Sequence, residues 1–424
     1  MKEMRTMYKE MRMDKTESYK KVDIAFSYVL ILLPFLFQYK GLGSVVSLGE
    51  LALMPFIAVF FIEEFYSRGT HFNPAMTALY ATTTLSIACC CFLPYFSLSN
   101  TATMYSRLIY YALLLVVARK HFHYELVLSF YKNLVFLFAI YAIIQYFYHL
   151  TTGGYLPIYL NYNWLFAPEA RAANLVSYYQ ESASYRISSL FLEPGYFALY
   201  SFPALVDLVV VEKGRQYLKA IVIAAALILS GSGAGVAGIF IILLFSFLSE
   251  GKKSRSTGVL YIVAALVAVG IVLRSGIADL SLSRVYMGTG GSFECRITNG
   301  WLIFKKLPLL HQIIGTGLNN TGNGMDYYHI STGINMWGVD QAYCASIFSA
   351  LCGEGIIGFL ALVGVVVSYF RRAKSMKTKC VVILFVFTLC YEAILFTYRF
   401  AFYLIILDAM VREDEKVYYA MGQV

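Results

Sequence analysis

The sequence predicts an all-α polytopic membrane protein of about twelve transmembrane helices, with two long loops on its outer face. Three observations carry that prediction. Only 14% of the 424 residues are charged and 59% are apolar, with a mean hydropathy of +0.64; a soluble domain carries about 25% charged residues. Apolar runs near the spanning length recur along the whole chain. Lys and Arg cluster in alternate breaks between those runs, the pattern of a chain that crosses a bilayer repeatedly.

In order, residues 1–22 form a polar, basic tail with Lys2, Arg5, Lys9, Arg12, Lys15, Lys20 and Lys21. A span follows directly, so no cleavable signal peptide is expected. Spans are expected near 23–38, 44–62, 75–95, 105–118, 124–148 and 189–211. A second set is expected near 217–230, 233–249, 258–273, 341–370, 380–396 and 397–411, the last interrupted by Arg399. Residues 23–411 therefore read as one transmembrane domain and 412–424 as a second tail.

Even-numbered loops carry Arg68, then Arg119 and Lys120, then Lys213, Arg215 and Lys219, then Lys252, Lys253 and Arg255. Arg371, Arg372, Lys374, Lys377 and Lys379 complete that set, while the short odd-numbered loops hold only Lys40 and Arg107. The positive-inside rule then places both termini in the cytoplasm. It places two long loops outside, at about 149–188 and 274–340.

A net charge of +9 divided among these short clusters is no nucleic-acid signal. The eight cysteines show neither a disulfide framework nor a zinc spacing; only Cys295 is expected outside, without a partner. The 35 tyrosines and 32 phenylalanines suit interfacial belts and a cavity that meets sugars or lipid.

The most informative stretch is Arg186 to Ala198, RISSLFLEPGYFA, which carries Glu193-Pro194 into an apolar run. A charge near the bilayer interior costs roughly 2.5–3.5 kcal/mol on insertion scales, so such residues usually line a cavity. Pro194 is expected to loosen the helix there, with water or protein meeting the freed carbonyls. Arg186, Arg284 and Arg296 stand on the side where positive charge is scarce. A guanidinium offers a planar fork of donors matched to phosphate oxygens. Three such forks around one cavity would hold a diphosphate with no metal and no cofactor. Arg399, at the outer end of the last span, is a candidate fourth fork, although a headgroup anchor is the preferred reading.

Glu193 is expected to orient an arginine rather than act as a base. His311 and His329 are alternative outer-face bases, although a lone loop histidine is more often incidental. Arg171, Trp301, His311, His329 and Asp340 are the substrate-binding candidates. Trp301 to Leu310, WLIFKKLPLL, suits a helix in the headgroup plane or a buried loop helix equally. Gly315-Thr316-Gly317 reads as a turn, since neither the strand nor the acidic residue of a dinucleotide fold accompanies it. Ser230 to Gly238, SGSGAGVAG, reads as a small-residue packing face. Glu50, Glu354 and Glu392 fall in expected spans and are the main support for a transporter reading.

The segment RISSLFLEP resembles the Arg-x-x-Ser-x-Phe-x-Glu-Pro signature of bacterial Wzy-type polysaccharide polymerases, relatives of the O-antigen ligases. Arg186, Ser189, Phe191, Glu193 and Pro194 fill its fixed positions. Arg284, Arg296, Trp301, HQIIGTGLNN from His311 to Asn320, and ALCGEGIIGFL from Ala350 to Leu360 follow in the order of that superfamily. One departure weakens a ligase assignment: Asp340, Gln341 and Tyr343 stand where ligase-type members carry a histidine.

The resemblance implies a GT-C-like, metal-independent glycosyltransferase at the outer face of a bacterial inner membrane. It would join undecaprenyl-diphosphate-linked oligosaccharide repeat units, with membrane lipid and a chain-length regulator protein as further partners and no nucleic acid. A ligase-type transferase and a lipid-linked oligosaccharide flippase are the alternatives. The flippase would show repeat symmetry between halves, and none is visible.

Overall fold

Each apolar run that starts beside a capping residue becomes a helix. In the computed structural model the described residues are 20–42, 46–67, 73–159, 186–212, 216–249, 293–334 and 341–422. Among them the chain is all-helical, with no named strand. The helices are α1 Lys21–Leu36, α2 Leu48–Ser67, α3 Pro74–Cys90, α4 Leu98–His121 and α5 Tyr124–Thr152. α6 Pro194–Val206 runs into a π-helical turn, Asp207–Val211, and is followed by α7 Tyr217–Leu229 and α8 Gly233–Ser249. A second π-helical turn, Glu294–Thr298, opens the short helices α9 Asn299–Lys306, α10 Leu309–Ile314 and α11 Thr321–Tyr327. α12 Ser346–Gly353, α13 Gly355–Arg372, α14 Met376–Tyr391 and α15 Tyr398–Gly422 complete the chain.

Some of the starts carry a side-chain cap. Asn73 accepts from Ala75 N at 3.0 Å with Pro74 at the first helical position. Ser97 and Ser375 cap α4 and α14 through Asn100 N and Thr378 N. Gly153, at φ 65, ends α5 in the left-handed conformation a C-terminal glycine supplies.

Four segments are long and apolar enough to cross a membrane: Leu98–His121, Tyr124–Thr152, Pro194–Val211 and Gly355–Arg372; α7 and α8 are shorter apolar helices. α1 and α14 have 16 residues each, and α15 carries Arg399, Asp408 and Arg412 within its apolar half. The outer helices expose Phe61, Leu137, Phe147, Ile221, Phe240 and Leu360, an apolar exterior of the kind a bilayer covers. Inside, α6 and residues Phe400–Val411 of α15 are buried on every side, as helices apolar all round must be. Buried tyrosines find carbonyls: Tyr200 Oη donates to Ile31 O at 3.0 Å and Tyr403 Oη to Leu199 O at 2.9 Å.

Two expectations need correction. The run 189–211 is not helical throughout, because α6 begins only at Pro194. Proline lacks the N–H that a first-turn residue leaves unused, so Pro194 starts the helix instead of loosening it. The run 341–370 divides at Glu354–Gly355, where Gly355 takes φ 71 and lets the chain turn. The last helix continues to Gly422, so the expected tail from 412 begins as a polar extension of it. The expected span 258–273 lies outside the described residues, as do Arg171, Arg284 and Asp340.

The two ends of the bundle differ. One gathers the described segments 37–42, 46–47, 91–97, 153–159, 186–193, 293–334, 341–345 and 392–397. The other gathers ion pairs. There Lys132 and Lys377 both meet Asp207 at 2.9 Å, Lys132 also pairs with Glu212, and His121 Nδ1 lies 3.0 Å from Asp23.

Candidate functional site

The segment before α6 is built as a fixed platform. Ser189 takes φ 57, a left-handed conformation that needs external support in a non-glycine residue. Gln145 on α5 supplies that support: it donates to Ser189 O at 3.0 Å and accepts from Ser189 N at 2.9 Å. The Ser189 hydroxyl donates to Phe138 O at 2.7 Å, and Gln38 donates to Leu190 O at 2.8 Å. Phe191 packs edge-on against Phe138 and beside Phe197 and Tyr200. The serine and phenylalanine of RISSLFLEP are therefore structural, and their result is to hold Glu193 at the mouth of α6.

Glu193 faces Arg296. Arg296 Nη2 lies 4.0 Å from Glu193 Oε2, while Nη1 donates to Glu392 Oε1 at 2.9 Å and to Tyr391 O at 3.3 Å. The guanidinium sits 4.7 Å from the Tyr391 ring and 6.0 Å from that of Tyr343. Burial opposes the Arg296 charge, but Glu392 together with Tyr343, Tyr391 and Glu193 outweighs it and holds the group above its ordinary range, so it stays cationic. Burial pushes the Tyr343 hydroxyl up to about 12 against the lowering effect of Arg296, so Tyr343 stays neutral. Glu392 also reaches α6, because a Cβ on Gly195 would lie 2.8 Å from Glu392 Oε1. A side chain at that position would press on the Glu392 carboxylate.

Glu392 lies in a break between α14 and α15, where Phe396 takes φ 57. Ser346 holds that break. Its N–H and hydroxyl both donate to Glu392 O, at 3.0 and 2.6 Å, and its oxygen accepts from Ile394 N and Leu395 N. One residue into α15, Arg399 packs on the Tyr196 ring at 3.9 Å. Arg186 borders the α7–α8 turn: a Cβ on Gly231 (φ 62) would lie 3.9 Å from Arg186 Cδ. A Cβ on Gly233 would lie 4.0 Å from the Tyr391 hydroxyl. The first half of SGSGAGVAG is thus a turn beside the site. Its second half packs, with Gly238 leaving no room for a Cβ against Phe202.

Of the sequence-predicted site residues, Glu193 and Arg296 face each other at 4.0 Å, and Arg186 lies beside the α7–α8 turn. Trp301 stands on the exposed face of α9 with Ile303 and Phe304 buried behind it, so this helix has one face in a small core and one outward. His311 needs correction as a candidate base. It is buried, its Nδ1 donates to Gly315 O at 2.8 Å, and its Nε2 accepts from Tyr328 Oη at 2.8 Å. Both nitrogens are occupied within the loop core. His329 is exposed after α11 in a left-handed conformation.

Gly315-Thr316-Gly317 is a turn, with Thr316 N and Gly317 N donating to Cys352 O and Gly353 O at 2.9 and 3.0 Å. The three carboxylates of the transporter reading form no common path. Glu50 accepts from Ser47 N, Ser47 Oγ and Tyr111 Oη at the start of α2, Glu392 belongs to the arginine site, and Glu354 is buried at the α12–α13 break.

Glu392, Arg399, Tyr391 and Tyr343 are the residues that sequence reasoning undervalued. Their signal was a charge or hydroxyl interrupting an apolar run. Among the described residues no three His, Cys, Asp or Glu side chains gather as a metal set. No protein-family model matches the chain, and no curated protein matches it in sequence.

Proposed function

We propose that this protein is a polysaccharide polymerase of the inner bacterial membrane, with about twelve GT-C-like spans, cytoplasmic termini and this site on the outer face. It joins oligosaccharide repeat units carried on undecaprenyl diphosphate. The observation that carries the reading is the meeting of Arg296 with Glu193 and Glu392, from three segments distant in sequence, at the end of the bundle away from the ion-pair clusters. The resemblance of RISSLFLEP to the polymerase signature supports it, as does the alternation of basic loops.

In this reaction the anomeric carbon–oxygen bond to the lipid diphosphate breaks. A new bond forms from that carbon to an acceptor hydroxyl, whose proton passes to the departing diphosphate. The diphosphate is already activated, so the protein's task is to stabilise its developing charge and align the acceptor. Cationic Arg296 supplies part of that field, and Glu193, the more open of the two carboxylates, borders the space where the acceptor would lie.

Cells lacking the protein test this reading. They should accumulate single lipid-linked repeat units and lose the long polymer, with restoration by wild-type protein. Accumulation of full-length polymer still attached to lipid would instead indicate a ligase-type acceptor. Single units trapped on the cytoplasmic leaflet would indicate a flippase.

A further inference from the structure

The two buried guanidiniums of the site are met in different ways. Arg296 is committed to the protein, with Nη1 on Glu392 and on the Tyr391 carbonyl and Nη2 facing Glu193. Arg399 lies against the Tyr196 ring at 3.9 Å and 5.5 Å from the Tyr398 ring. Its Nε and Nη1 are closed off from solvent and make no hydrogen bond. A cation–π contact holds a guanidinium in place without using its N–H donors. Buried donors left unused are rare and call for a ligand or a function.

The setting is fixed. Phe396 turns the chain through a left-handed conformation, and Tyr398 stacks on Phe37 at 3.7 Å. Glu193 and Glu392 are electrostatic neighbours of both arginines.

We propose that Arg399 is the residue that binds the diphosphate of the isoprenyl-linked donor, and that Arg296 is a positioning residue that holds Glu392 and Glu193. This rests on the transferase reading for the identity of the anion. The division of labour rests on the hydrogen bonds alone.

Binding of geranylgeranyl diphosphate, inorganic pyrophosphate and geranylgeraniol to the purified full-length protein in detergent tests the assignment. The wild type should bind the first, and Arg399→Gln should weaken that binding at least tenfold in protein that still melts in one cooperative transition when unliganded. Pyrophosphate binding equal to that of the isoprenyl form would assign the site to the diphosphate alone; weaker binding would add the lipid chain, and either supports the role of Arg399. Unchanged affinity in Arg399→Gln, no binding by the wild type, or equal competition by phosphatidylglycerol would overturn it.

If Arg399→Gln does not accumulate, Arg399→Lys carries the test. An ammonium keeps the charge but cannot place the same donors, so a loss of several-fold is expected and unchanged affinity overturns the proposal. Chain elongation by the same preparations separates the two claims. Elongation with diphosphate binding that survives Arg399→Gln overturns the assignment and leaves the transferase. Arg399-dependent binding without any elongation leaves the assignment and overturns the transferase.

Discussion

Arg296 shows how a single residue sets the site. Its guanidinium bridges the chain break after α14 and the mouth of α6, and a lysine cannot reach both carboxylates and the Tyr391 carbonyl at once. Losing one charge-assisted hydrogen bond costs about 1.5–3 kcal/mol, so Arg296→Lys should lower polymer formation by about tenfold or more. Full polymer from this variant at normal expression would show that the geometry around Glu193 and Glu392 is not needed.

The arginine and Glu193 were legible in the sequence, because charges on the outer side of a membrane chain are conspicuous. Their partner was not. Glu392 is 96 positions from Arg296 along the chain, and no local pattern encodes so distant a pairing. The same holds for Ser346 and Gln145, whose polar side chains in apolar runs signalled a buried task without naming it. His311 was misread for a related reason: a loop histidine looks available until its carbonyl and tyrosine partners are seen.

At the scale of the elements, α6 joins the two ends of the molecule. Glu193 stands before its first turn, and Asp207 closes it at the other end as the helix loosens into a π-helical turn. Asp207 accepts from both Lys132 of α5 and Lys377 of α14, so it ties three helices together. Removing one partner of a buried ion pair costs roughly 3–5 kcal/mol, because the opposite charges remain buried. Asp207→Ala should therefore lower the melting temperature of the purified protein markedly, and a melting curve indistinguishable from wild type would remove the cluster from the account.

Element starts were readable where a cap or proline marked them, as at Asn73-Pro74, Ser97 and Ser375. The break at Glu354–Gly355 was not, because the run stays apolar on both sides of it. Its cause is tertiary. The Gly315–Gly317 turn lies against the carbonyls of Cys352 and Gly353, and a Cβ on Gly355 would collide with the Ile313 carbonyl.

For the whole molecule, an apolar exterior surrounds a polar site at one end and clustered ion pairs at the other. Composition and the charge alternation made the membrane class and helical architecture readable, and four helices meet the length and apolarity that a crossing needs. The chemistry at the arginine end is open to measurement. The most direct one is elongation of a purified lipid-diphosphate oligosaccharide by the detergent-solubilised protein, without nucleotide, ion gradient or divalent metal. The account predicts a ladder of products that persists in chelator and falls sharply in Arg296→Lys. Movement of the labelled substrate between liposome leaflets with no ladder would contradict it.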